Sequence, residues 1–106
     1  MSSMAEFITV GVAGSITSGE ALAVEVNDIA ISIWNVNGQL FAINDICTHE
    51  EAYLSEGDML DDYCVSCPLH GAEFDVRTGA ARCLPATIPV ATYPVRIEGD
   101  AIQVAV

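Results

Sequence analysis

Cys47-Thr48-His49 and Cys67-Pro68-Leu69-His70-Gly71 decide how the rest of this chain is read. Seventeen residues separate His49 from Cys67, and each of the two histidines in the sequence sits at a short offset from a cysteine. Chance does not place them so. Two thiolates and two imidazoles make four soft-to-borderline ligands, a set that suits zinc or an iron–sulfur centre. The Cys-x-His half holds its ligands two residues apart on one side of an extended loop. The Cys-x-x-His half is a tight turn with Pro68 at its second position. Side by side, two such loops form a clamp.

Upstream of the clamp, strand patterning dominates. Phe7–Val12 reads as a first strand. From Ala21 to Val26 small or charged residues alternate with Leu22, Val24 and Val26, the period of a half-buried strand. Asn27-Asp28 breaks that run, and Ile29 to Trp34 answers with Ile29, Ile31 and Ile33 on one face. Asn37-Gly38 is the best hairpin signal, since both residues tolerate positive φ. Leu40–Ile43 closes the meander. No helical period precedes Cys47, so the reading is all-β.

Asp45 to Asp75 reads as a different lobe, holding nine of the fifteen acidic residues and none of the three arginines. Such a charge run is ordinarily a solvated face, but here it flanks metal-bearing loops. Residues 53–58 are turn-rich, Asp61 to Ser66 reads as a short strand feeding the second loop, and Arg77-Thr78-Gly79-Ala80 is a turn. Thr92–Ile97, a Gly99-Asp100 turn and Ile102–Val106 form a terminal hairpin. No repeat is visible. The expected architecture is a meander, an inserted loop-rich lobe, and a return hairpin completing the same barrel or sandwich.

At 106 residues the chain is one domain, and 52% hydrophobic against 17% charged residues makes it globular. A formal charge of −12 excludes nucleic acid as a natural partner and disfavours anionic membranes, while favouring a partner with a basic patch. No signal-like segment opens the chain and no apolar stretch is long enough to span a membrane, so a cytoplasmic protein with reduced cysteines is expected.

Cys-x-His, seventeen residues, then Cys-x-x-His followed by Gly resembles the Rieske signature. The run Gly71–Gly79 is similar to that of Rieske ferredoxins from bacterial aromatic-ring-hydroxylating dioxygenase systems. The resemblance implies one 2Fe–2S cluster, with Cys47 and Cys67 on one iron and His49 and His70 on the other. It implies a Rieske fold: antiparallel sheets forming a base (1–44 and 86–106) with an inserted cluster-binding subdomain (about 45–85). A structural zinc module is the bland alternative, although zinc motifs usually pair Cys with Cys and His with His. The small Rieske subunit of a nitrite reductase type oxidoreductase is a second alternative.

The chain departs from respiratory members in ways that bear on potential. Where those place a serine and a tyrosine donating hydrogen bonds to cluster sulfurs, this sequence has Ala72 and Phe74. With an acidic lobe as well, the expected potential lies at the low end of the range for such centres as a class, roughly −150 mV. The stapling cysteines of respiratory members are replaced by Ala52 and Leu69. Cys64 and Cys83 read as small buried hydrophobes, because an extended 61–66 points Cys64 and Cys67 to opposite sides. With both histidines committed to iron, the resemblance implies an electron carrier and no enzyme. It would take electrons from a flavin-dependent ferredoxin reductase and pass them to a terminal oxygenase. It would dock as a monomer through an acidic tip at the histidine edge, with Glu50 and Glu51 beside His49, Leu69 beside His70, and Leu84-Pro85-Ala86 capping the lobe.

Overall fold

Two-residue turns set the first sheet. A computed structural model describes residues 6–47, 52–60, 63–68, 71–83 and 88–106, and of Cys83 the backbone alone. Strands β1 (Phe7–Val12), β2 (Ala21–Val26), β3 (Ile29–Val36) and β4 (Gln39–Asn44) follow in order. Asn27 and Asp28 take φ of 53° and 67°, and Asn37 and Gly38 take 54° and 90°. These left-handed pairs match the twist of the strands they join. The resulting registers pair Val24 with Ile31 and Trp34 with Phe41.

The structure corrects two expectations and adds a feature that alternation did not show. β1 does not join the meander; it pairs antiparallel with β11 (Ala101–Ala105), with a bulge between Thr9 and Gly11. The expected 92–97 strand is cut at Pro94, which has no N–H to give a ladder. Its first part, β9 (Thr92–Tyr93), closes the sheet β2-β3-β4-β9, and its second, β10 (Val95–Glu98), lies in the sheet β1-β11-β10. Finally, β3 is buried on both faces. Ile31 and Ile33 pack with Val26, Ala42, Ile102 and Val104. Trp34 packs on the other side with Ile43, Leu54, Val65 and Phe74, and its indole N–H donates to Ser32 Oγ at 3.0 Å.

Beyond β4 the chain enters a separate four-stranded sheet of short antiparallel strands, β5 (Asp58–Met59), β6 (Cys64–Ser66), β7 (Glu73–Asp75) and β8 (Ala81–Cys83). A single 3-10 turn, Leu54–Glu56, precedes it. The strand expected over 61–66 begins at Cys64, because Tyr63 sits at φ 66°, outside strand space. Residues 61 and 62 lie outside the described set. Among the described residues no helix is long and apolar enough to cross a membrane.

Candidate metal centre

The two cysteine-bearing loops are built on one plan. In the first, Asp45 N–H donates to Ala30 O at 2.8 Å as the chain leaves β4, and Ile46 bridges Tyr53 antiparallel. Cys47 N–H then donates to Ala52 O at 2.9 Å. In the second, Ser66 pairs with Glu73, and Cys67 N–H donates to Ala72 O at 2.6 Å. Adding twenty to each number maps one hairpin onto the other, with Leu54 falling on Phe74. The repeat that the residue identities hide is present in the hydrogen bonds. Only the cysteine and the alanine are common to both copies, and four residues separate the two in each.

Both thiols point into one apolar cluster. Cys47 is 3% exposed and Cys67 2%, and they share the cluster with Ala52, Leu54, Ala72 and Phe74. Two buried thiols at matching positions of paired hairpins fit a group that takes two thiolates from the protein side. His49 and His70, the expected imidazole ligands, lie outside the described residues, as do Glu50, Glu51, Leu69 and 84–87. Among the described residues alone no three His, Cys, Asp or Glu side chains converge on a metal position.

Two carboxylates counted in the acidic lobe turn out to be inward struts. Asp45 is buried and accepts from Ser55 N–H at 2.7 Å and Ser55 Oγ at 2.8 Å, fixing the base of the first hairpin. Asp75 accepts from Arg77 N–H at 2.8 Å, Arg77 Nε at 3.1 Å, and Nη2 at 2.9 Å, and from Arg82 Nη1 at 3.3 Å. The Arg77 hydrogen bond holds the Asp75 carboxyl below the usual range, against burial, which pushes it up. Asp75 in turn raises the Arg77 guanidinium. That guanidinium lies 4.2 Å from the centre of the Tyr63 ring, and Tyr63 meets Phe41 of β4 edge to face at 5.7 Å. The lobe is thereby bracketed to the base through Asp75, Arg77, Tyr63 and Phe41. The Asp-x-Arg spacing at the end of β7 is the one sequence signal by which it could have been found.

Glycines set the closest approaches. Gly79, at φ 80°, leaves no room for a β-carbon against the Val90 carbonyl. Its own carbonyl accepts Val90 N–H at 2.8 Å, which fastens the returning chain to the lobe. Cys64 is buried, as expected, and pairs with Asp75 on β7, outside the apolar cluster that holds Cys47 and Cys67.

Comparison with known proteins bears directly on this arrangement. The Rieske [2Fe-2S] domain model matches residues 6–94. The 3-phenylpropionate/cinnamic acid dioxygenase ferredoxin subunit of Escherichia coli (strain K12) is 49% identical over 87 residues, 82% of this chain and 81% of that one. Among solved structures, the ferredoxin of carbazole 1,9a-dioxygenase from Nocardioides aromaticivorans IC177 is 34% identical with a TM-score of 0.89, covering 93% of this chain and 96% of that one. A chain in a complex of reduced oxygenase and oxidized ferredoxin in carbazole 1,9a-dioxygenase is 33% identical with a TM-score of 0.87, over 93% and 92%.

Proposed function

The chain belongs to the Rieske [2Fe–2S] domain family, and from that premise we propose that it is the ferredoxin of an aromatic-ring-hydroxylating dioxygenase system, an electron carrier and not a catalyst. Cys47 and Cys67 are the thiolate ligands, and His49 and His70 the imidazole ligands. When bound, a 2Fe–2S cluster supplies a one-electron couple. The chain's own contribution is to keep both thiols buried on hydrogen-bonded hairpins. Residues 1–44 and 86–106 act as the base, and about 45–85 as the cluster-binding subdomain.

The observation that carries this reading is the pair of buried thiols on twenty-residue-offset hairpins in a chain this similar to dioxygenase ferredoxins. The oxygenase as electron acceptor is supported by the solved relative that lies in complex with one. A flavin-dependent ferredoxin reductase is the donor, and the carrier works in the cytoplasm as a monomer, meeting its two partners in turn. Ala72 and Phe74, both fully buried and both without a hydroxyl, support a low potential.

The anaerobically purified protein is expected to be red-brown, to hold iron and acid-labile sulfide in equal amounts, and to bleach on dithionite. Colourless protein carrying zinc would end the proposal. His49→Cys and His70→Cys should each lose iron or shift the spectrum toward an all-cysteine cluster. Parent absorption, resonance spectrum and potential in either variant would sink the histidine assignment.

A further inference from the structure

A lateral groove of about 410 Å³ lies beside the first hairpin, lined by Ala23, Glu25, Ala30, Tyr53, Ser55 and Glu56. Glu25 and Ala30 are direct cross-strand partners on β2 and β3. Tyr53 is 49% exposed, and Ile46, opposite it across the bridge, is 43% exposed. Ile46 directly precedes Cys47, so the Ile46–Tyr53 bridge joins the wall of the groove to the first ligand-bearing hairpin.

Among the described residues no arginine is paired with the exposed carboxylates of this groove. The sequence has three arginines and no lysine; Arg77 and Arg82 are spent on Asp75, and Arg96 lies 4.0 Å from Glu98 and donates to Gln103 at 2.8 Å. Two alanines and a tyrosine ring offer apolar contact, the exposed carboxylates of Glu25 and Glu56 stand at its edge, and the third carboxylate of the lining, Asp45, is buried and held by Ser55. That combination fits an aliphatic stem ending in a cation, with the ring available for a cation–π contact.

We propose that this groove receives an arginine or lysine side chain presented by the terminal oxygenase, and so fixes the orientation in which the ferredoxin docks. The proposal rests on the reading of the chain as the ferredoxin of a ring-hydroxylating system. An electron carrier shows the same ligand-bearing edge to donor and acceptor, so that edge alone does not distinguish them. A contact to one side of it does, and the oxygenase is the partner against which a solved relative is found.

The test measures affinity of the oxidised, cluster-loaded ferredoxin for its separately purified oxygenase by calorimetry at low and high salt. Glu25→Gln with Glu56→Gln should weaken binding about five- to tenfold at low salt, and the difference should collapse as salt screens the field. Tyr53→Ala should weaken it about threefold or more at both salts, and Tyr53→Phe, which keeps the ring, should not. The rate of reduction by the reductase should be unchanged throughout. Parent affinity in all variants overturns the groove, as does an equal loss toward oxygenase and reductase. Failure of the parent protein to bind or reduce the oxygenase overturns the carrier reading and takes this proposal with it.

Discussion

Gly57 lies backbone to backbone against Ser66, with no space between them for a β-carbon. Gly57 N–H donates to Leu54 O at 2.9 Å, and Leu54 closes the Cys47 hairpin through its own N–H to Asp45 O at 2.7 Å. Ser66 pairs with Asp58 and directly precedes Cys67. One residue without a side chain therefore lies at the junction of the two ligand hairpins and sets their spacing.

Gly57→Ala should push β5 from β6 and cost about 1–3 kcal/mol, as overpacking of a well-packed contact does. Denaturant unfolding of the loaded protein should show the loss, and iron per chain should fall with it. An unchanged unfolding midpoint would remove Gly57 from this role.

Cysteine substitutions should separate sharply. Cys67→Ala is expected to lose the cluster, whereas Cys64→Ala keeps full iron content and the parent visible spectrum, with a stability cost of about 1 kcal/mol. Iron loss from Cys64→Ala would contradict the placement of Cys64 beside Asp75 and outside the ligand pair.

Ala72→Ser combined with Phe74→Tyr introduces two hydroxyl groups in the buried surroundings of Cys67. The midpoint potential, followed voltammetrically, should rise by tens of millivolts, since hydrogen bonds to sulfur favour the electron-rich state. If a structure of the double variant shows both bonds and the potential stays put, the account of a low potential fails.

Asp75→Asn tests the bracket behind the second hairpin. The Asp75 carboxyl titrates lower in the folded chain than in the unfolded one, so its contribution is fully present above the ordinary carboxylate range. It is lost as pH falls through the lowered folded-state value. At neutral pH the variant should be less stable by about 1–2 kcal/mol, the lower part of the range for charged bonds because both guanidinium groups are half exposed to solvent. The gap between parent and variant in denaturant unfolding should narrow toward acid pH. A gap that widens on acidification would reverse the assigned sign.

Local chemistry made much of this legible in advance. Asn37-Gly38 announced a hairpin because both positions need positive φ, and the Cys and His spacing announced the ligand loops. What depended on distant partners stayed hidden. Alternation marks Phe7–Val12 as a strand but says nothing of its pairing with β11, ninety residues on. Strands of two or three residues, such as β5 and β9, are too short to show a period. Asp45 and Asp75 looked like two more surface acids, because a sequence does not show whether a carboxylate meets water or an N–H. Alternation put Ile29, Ile31 and Ile33 on one face of β3 but could not show that a second layer also covers Ser32 and Trp34 on the other.

The two covered faces of β3 tie the stability of the metal lobe to that of the base. Trp34 belongs to the cluster that contains Cys47 and Cys67, whereas Ile31 and Ile33 belong to the one that contains Ile102 and Val104. The lobe cannot melt without baring one side of the strand on which the opposite core is assembled. Loss of the cluster should therefore be felt as faster amide exchange deep in the base, at the central strand and not only in the loops that held the metal.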